Sequence, residues 1–469
     1  MAGDWNKALF EKLLSEPVRN GIYKTKDFHG RGAKIVNMGE LFAHPRLRAV
    51  PMKRVALNES ECRRFLLSKG DLIFARRSLT AEGAGKCSVV LELDEATTFE
   101  SSIIRARPDT EKADPLYLYY FFNSPSGFHS LDTIRRQVAV AGITGGDLAK
   151  LEIPTPPLPE QRAIAHILST LDDKIELNRR RNQTLEAIDR TLFQDWFVDF
   201  GPVRAKLEGR APYLPSDLWN RFPDRLDDDG KPEGWAFKTV GECFSLTMGQ
   251  SPPGESYNDT GDGLPFFQGR TDFGFRYPEN RKYCSAPSRL ANAEDTLVSV
   301  RAPVGDINLA WERCCIGRGV AAIRHSSGGR SFTYHAMWSL QGELRQYEHT
   351  GTVFGAINKK QFDALPIIEP DAKLVSAYER IVGGFDDQIR KNTEESHTLA
   401  QLRDTLLPEL ISGELRIRKA ERLAIAAALQ RIESGDFGYC IECGDAIAEG
   451  RLRNNPTVVK CLECASGGG

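Results

Sequence analysis

Apolar positions along the chain fall into two stripes of helical period. In the first, Leu168, Leu171, Ile175, Asn178, Asn182, Leu185 and Leu192 step by threes, fours and one seven, a spacing that gathers side chains on one helix face. Val382, Phe385, Ile389, Asn392, Ser396, Leu399 and Leu406 repeat it. A shift of 214 residues carries every member of the first stripe onto the second without a gap. Such a repeat divides the chain into two halves, each a globular block followed by a long helix. The spacing predicts helices over 159–200 and 371–413, the first opened by Pro159 and Glu160, the second stopped by Pro408 and Gly413. Both stripes turn polar midway, at Asn178/Asn182 and Asn392/Ser396. A polar seam position costs stability but fixes the register of a paired helix.

Upstream of each helix the period changes. Within 1–158 the runs 71–75 (DLIFA), 88–93 and 102–106 are short, rich in β-branched residues and bounded by turn formers, so they read as strands. Residues 115–122 (PLYLYYFF) read as a buried helix with Pro at its first position. Residues 142–148 predict a turn and a short helix before the strand at 151–154. In 234–370 the run 295–301 matches 71–76 in type, an acidic residue, a β run and a closing Arg, and 356–362 stands where 143–148 stood. The stretch between the halves, 201–233, is rich in Pro, Gly and charge and reads as a surface linker. A charged linker helix is expected over 414–434.

Composition narrows the class without naming a chemistry. The chain has 469 residues, 41% hydrophobic and 27% charged, too long for one core and typical of a multidomain globular protein. No apolar run reaches a membrane span and the N-terminus lacks a signal core, so an intracellular, cytoplasmic protein with no membrane partner is expected. A net charge of −2 gives no bulk argument for nucleic acid, so any DNA-binding face must come from arrangement. The sequence holds no GxxxxGK[ST] loop, no Asn-Pro-Pro-aromatic run and no nucleophile motif, so a non-catalytic subunit is expected.

Ten cysteines are unevenly placed. Six are scattered, as expected of reduced core thiols. Cys440, Cys443, Cys461 and Cys464 form two CxxC pairs separated by 17 residues, the spacing of a four-thiolate zinc site. With all four positions taken by sulfur the expected zinc is structural rather than catalytic.

Together, Trp235 in PEGW, GQSPPGESYN at 249–258, LPEQRAIAHILSTLDDKIELNRR at 158–180 and LRDTLLPELISGEL at 402–415 resemble the specificity subunits of type I restriction–modification enzymes. The resemblance covers roughly residues 1–417. It implies an α/β (α+β) fold in which two target-recognition domains, 1–158 and 234–370, are separated by two long antiparallel helices acting as a ruler. It further implies double-stranded DNA, two methyltransferase subunits and restriction/translocase subunits as partners. Two-fold pseudosymmetry of that kind suits a site of two separated half-sites. Side chains able to read base edges or hold phosphates are Arg76, Arg77, Lys86, Arg135, Arg136 and Gln137 in the first block. In the second they are Gln250, Gln268, Arg270, Arg301, Asn358, Lys359 and Lys360. The C-terminal segment, 435–466, resembles the zinc finger of the DksA/TraR family, whose members regulate RNA polymerase. The long coiled coil of that family is not evident, with only 418–434 preceding the finger. A transcription regulator docking on polymerase is therefore the alternative reading.

Overall fold

Both stripes form helices, Leu158–Phe193 and Ala372–Ser412, in a computed structural model that describes residues 5–136, 141–349, 355–416, 428–432, 437–448, 451–452 and 458–466. The chain divides into two compact units, Met1–Asn178 with Glu394–Gly469, and Arg179–Thr393. The boundaries fall inside the long helices, so each unit contains a piece of both.

The first unit centres on a five-stranded sheet in the order Leu14–Asn20, Ile103–Pro108, Leu72–Ala75, Cys87–Val90, Arg46–Leu47. All four residues of Leu72–Ala75 are buried, as expected of a central strand covered on both faces. Helix Pro115–Phe122 covers it. Asp114 caps this helix by accepting from the backbone N–H groups of Leu116 and Tyr117, and Pro115 occupies the first turn. Phe10, Phe74 and Phe122 meet edge to face, with centroids 4.9–6.1 Å apart. The two helix pieces close the same core through Ile164, Leu168 and Leu171 on one side and Leu399, Leu407, Leu410 and Ile411 on the other. They run antiparallel: Asp172 accepts from Arg403 at 2.7 Å, while Asn178 donates to Glu395 at 2.6 Å. A smaller sheet, Lys53–Val55, His29–Val36, Thr97–Phe99, lies beside the main one.

The second unit repeats this plan. Its four-stranded sheet runs Phe244–Met248, Val320–His325, Thr296–Ser299, Ile307–Leu309, matching the first four strands of the other unit. An ion pair recurs at the same place: Arg107 donates to Asp71 at 2.7 Å in the first unit and Arg324 to Asp295 at 2.6 Å in the second. The strand pair Lys7–Leu9 with Glu152–Pro154 recurs as Ala236–Thr239 with Pro366–Glu369. The helix pieces are again antiparallel, Asn392 donating to Asn182 at 2.8 Å and the Tyr378 hydroxyl to the carbonyl of Asp189.

Several expectations change. The apolar stripe predicts Leu185, Leu192 and Phe385 at the seam, but these are only half-buried, and Glu186, Asp189 and Asp386 are buried instead. The carboxylates of Glu186 and Asp386 flank the guanidinium of Arg276, which is 1% exposed and lies 4.1 Å from the ring of Tyr334. A cation carried in from the globular part thus fixes which helix face turns inward. Asp189 has both carboxylate oxygens buried without a hydrogen-bond partner, and burial pushes its pKa up to about 8. Residues 201–233 are not a surface linker. They include helices Gly201–Leu207 and Ser216–Trp219, and Val203, Leu218 and Phe222 join the second unit's core. The first long helix ends in a wider π turn, Gln194–Val198, which places Trp196 and Phe197 against Tyr378 and Phe332. The second helix runs through Pro408, because Leu407, Leu410 and Ile411 anchor its last turn in the core. It stops at Gly413, which takes φ +78°. Most of the linker helix expected over 414–434 lies outside the described residues; the described residues 428–432 are helical.

Candidate nucleic-acid interface and metal centre

In the first unit, the strand Arg77–Ser78 pairs with Ala141–Gly142, and Arg136 bridges Gly142. Arg77 and Arg136 therefore flank one glycine. Arg77 is exposed, and Arg136 has 65% of its side chain in solvent with Asp147 at 2.8 Å. Hydrogen bonds from Thr144 and Arg136 hold the Asp147 carboxyl below its ordinary range. Arg76 is half-buried and donates to the carbonyl of Ser101 at 3.4 Å. Lys86 lies 5.1 Å from the ring of Phe42. Arg135 has another role. Only 7% of its side chain is exposed, and it donates to the carbonyl of Ala84 and to Asp132, so it clamps the loop rather than facing outward. Gln137 lies outside the described residues.

In the second unit, Arg301 bridges Ala356. A cleft of about 450 Å³ opens there, lined by Met248, Gly249, Arg301, Arg318, Asn358 and Lys359. Gln250 is exposed at its edge, its backbone N–H given to Ile316 at 3.0 Å, and Lys360 is exposed on the adjoining helix. Asn358 is that helix's cap: its side-chain oxygen accepts from the N–H of Gln361 at 3.0 Å. Lys359 donates to the carbonyl of Leu246 at 3.1 Å. Gln268 is exposed, and its carbonyl packs against Gly319, next to Arg318. Arg270 is not part of this cleft. It pairs with Asp306 at 2.6 Å and lines a different cavity of about 200 Å³ with Phe273 and Trp338.

The backbone gives the correspondence between the two sites. The N–H of Ile143 donates to the carbonyl of Arg76, and that of Ile357 to Val300. Arg301 therefore occupies the place of Arg77, one residue from the expected match with Arg76. By the same ladder, Arg76 and Ser102 pair as Val300 and Gly319 do, so Arg318 occupies the place of Ser101. Residue typing alone missed Arg318; extending the repeat alignment through the strand before it would have found it. Gly21 and Gly249 are equivalent as well. A Cβ on either would come within 2.1–2.2 Å of a backbone oxygen, so both units need glycine where the first loop passes under the site. The scaffold is common to both, and the side chains around it differ.

At the C-terminus the sulfurs of Cys440, Cys443, Cys461 and Cys464 lie within 4.8 Å of one another, with Cys443 and Cys461 at 3.7 Å. Four thiolates around one zinc at a bond length of about 2.3 Å have edges of about 3.8 Å, so the donor set fits that ion. Gly444, at φ +78°, closes the first turn by donating to the carbonyl of Cys440. Backbone N–H groups of Cys443 and Cys461 bring the Cys440 thiol down to about 6, while the Cys443 thiol, despite the backbone N–H of Asp445, is raised to about 11 by the sulfurs of Cys440 and Cys461.

Residues 18–187 match the type I restriction modification DNA specificity domain, and residues 435–467 the prokaryotic dksA/traR C4-type zinc finger. Similarity to the type I restriction enzyme MjaX specificity subunit of Methanocaldococcus jannaschii extends over 423 residues at 27% identity, covering 88% of this chain and 94% of that protein. Most of the chain is therefore similar to type I specificity subunits, and its C-terminal segment carries a DksA/TraR-type finger domain. The solved type I restriction–modification S subunit from M. genitalium shares the fold, with a TM-score of 0.54 over 87% of this chain and 96% of that one at 16% identity. The C-terminal part is also similar to the RNA polymerase-binding transcription factor DksA of Haemophilus influenzae, 35% identical over 101 residues, 19% of this chain and 68% of that protein. That match is longer than the finger, so likeness to that family is not confined to residues 435–467, as the sequence alone suggested. Among the described residues no helix is long and apolar enough to cross a membrane.

Proposed function

We propose that this chain is the DNA sequence-specificity subunit of a type I restriction–modification complex. Domains 1–158 and 234–370 each read one half of a bipartite double-stranded site. Methyltransferase and restriction/translocase subunits supply the chemistry, and the chain itself is non-catalytic and works in the cytoplasm. The observation that carries this reading is one scaffold built twice with different side chains at equivalent places: Arg76 against Val300, Ser101 against Arg318, Gly145 and Gly146 against Lys359 and Lys360. A repeated frame with varied donors is suited to reading two unlike half-sites, because base edges are distinguished by donor and acceptor geometry. Arg77, Arg136, Lys86, Arg301, Arg318, Lys359 and Lys360 supply cations for phosphates or bases, and Gln250 and Gln268 supply amides. Arg135 and Asn358 hold the loops that present them.

The four cysteines hold a structural zinc, each giving one thiolate and leaving no position for a reactive water. The deciding experiment is methylome sequencing of the host with and without this chain. Loss of one bipartite methylated motif is expected, and an unchanged methylome would refute the proposal. The length of the DksA match favours a second reading for the C-terminal segment alone, docking on RNA polymerase. Copurification of polymerase with the full chain but not with a chain ending at Arg416 tests it.

A further inference from the structure

Residues 23–32 of the first unit form a second cationic feature, separate in sequence from the cluster around Gly142. In the strand His29–Val36, both His29 and Ala33 pair with Val55. Gly30, Arg31 and Gly32 are therefore extra residues that loop out of the ladder. Gly30 and Gly32 take φ of +88° and +86°, a conformation that favours glycine. A Cβ on Gly32 would lie 2.6 Å from the carbonyl oxygen of Val55, whereas one on Gly30 would meet nothing. The base of the loop is braced. Arg54 donates to the carbonyl of Gly32 at 2.8 Å and makes a two-pronged pair with Glu95 at 2.7 Å. The N–H of Ala56 donates to the carbonyl of Phe28 at 2.8 Å.

This rigid base presents groups that a solvated loop has no need of. Tyr23 is 78% exposed and Phe28 44%, and the ammonium of Lys24 sits 4.5 Å from the Phe28 ring while pairing with Glu61. Lys26, His29, Arg31 and Lys53 are exposed, with Asp27 the one exposed acid in the loop. Among the described residues no hydrogen bond or ion pair engages the Arg31 guanidinium. Interleaved aromatics and cations on a braced backbone match the chemistry of nucleic-acid contact, rings against sugars or bases and cations against phosphates and base edges.

We propose that residues 23–32 are a groove-reading finger of the first recognition domain, with Arg31 at its tip donating to a base edge of the half-site which that domain reads. This rests on the DNA-recognition function proposed above. Arg31 is suited to two-pronged contact with the O6 and N7 acceptors of a guanine. Pre-bracing by Arg54 and Glu95 reduces the ordering cost of binding.

The test uses the full-length chain with its methyltransferase partner. Three duplexes are used: one carrying the motif found by methylome sequencing, one with the first half-site scrambled and one with the second scrambled. Arg31→Ala removes only an exposed side chain, so folding is not at stake. It is expected to weaken binding to the intact motif about tenfold or more and to leave binding to the duplex with a scrambled first half-site nearly unchanged. Arg31→Lys keeps the charge but not the fork and is expected to stay weak. Gly32→Ala, which disturbs the loop but keeps Arg31, is expected to weaken the same half-site. Wild-type affinity in Arg31→Ala overturns the proposal, as does equal loss on all three duplexes or full rescue by Arg31→Lys, each of which would make Arg31 a bystander or a phosphate contact. A wild-type complex that does not discriminate the duplexes overturns the DNA-recognition reading itself, a different and separable result.

Discussion

Replacing Arg276 by Met removes the cation that bridges the buried carboxylates of Glu186 and Asp386 in the second unit. Those carboxylates are 8% and 2% exposed, and the guanidinium also loses its contact with Tyr334. Breaking a buried charge set by deleting one partner costs about 3–5 kcal/mol, since the partners stay buried and uncompensated. The contact with Tyr334 adds about 0.5–2 kcal/mol. Asp386 keeps the hydroxyl of Ser331 and a more distant Arg330, and Glu186 keeps Arg190 at 3.6 Å, so the expected loss is about 4 kcal/mol. Of the six tryptophans, Trp196, Trp219, Trp235, Trp311 and Trp338 lie in the second unit. Intrinsic fluorescence during urea unfolding therefore reports mainly on that unit. Adding Glu186→Gln and Asp386→Asn to Arg276→Met removes the uncompensated charges and is expected to restore more than half of the loss. A single variant within about 1 kcal/mol of wild type, or a triple variant no better than the single, would refute the view that this charge set holds the globular part of the second unit on its helices.

Further outcomes are equally checkable. Asp189, 0% exposed and pushed up to about 8, holds a proton in the folded state that the unfolded chain gives up near pH 4. Its contribution is full below that pH and is lost as pH rises toward 8, at up to about 1.4 kcal/mol per pH unit. Asp189→Asn should flatten that slope, and an unchanged pH profile in the denaturation midpoint would contradict it. The Cys440→Ser/Cys461→Ser pair should lose about one zinc per chain by elemental analysis while fluorescence unfolding of the second unit stays as in wild type; retained metal would remove the four-thiolate assignment. Replacing residues 234–370 with another second domain should alter one half of the methylated motif, and a change in both halves would show that the two domains do not read independently.

Pattern alone made much of the architecture legible. The gap-free repeat of the helical stripes, the buried strand at 72–75, the Pro-led helix after Asp114 and the two CxxC pairs are local or periodic features. Local propensity, caps and spacing act within a few residues of where they are written. Tertiary structure decided the rest. Periodicity places Leu185 and Phe385 at the seam, yet Glu186 and Asp386 turn inward because Arg276, 90 residues from the one and 110 from the other, arrives between them. A straight helix also drifts from a strict seven-residue repeat, so one extrapolated stripe loses the true inward face within a few turns. Residues 201–233 look like a linker by composition, and only the core they meet buries Val203, Leu218 and Phe222. Arg135 and Arg136 are neighbours of the same type, and the carbonyl of Ala84, far along the chain, turns one into a clamp and leaves the other exposed. Residue type states which donors a position carries. Which way those donors face is set by partners distant in sequence, because burying a charge is tolerated only where a compensating group has been brought to meet it.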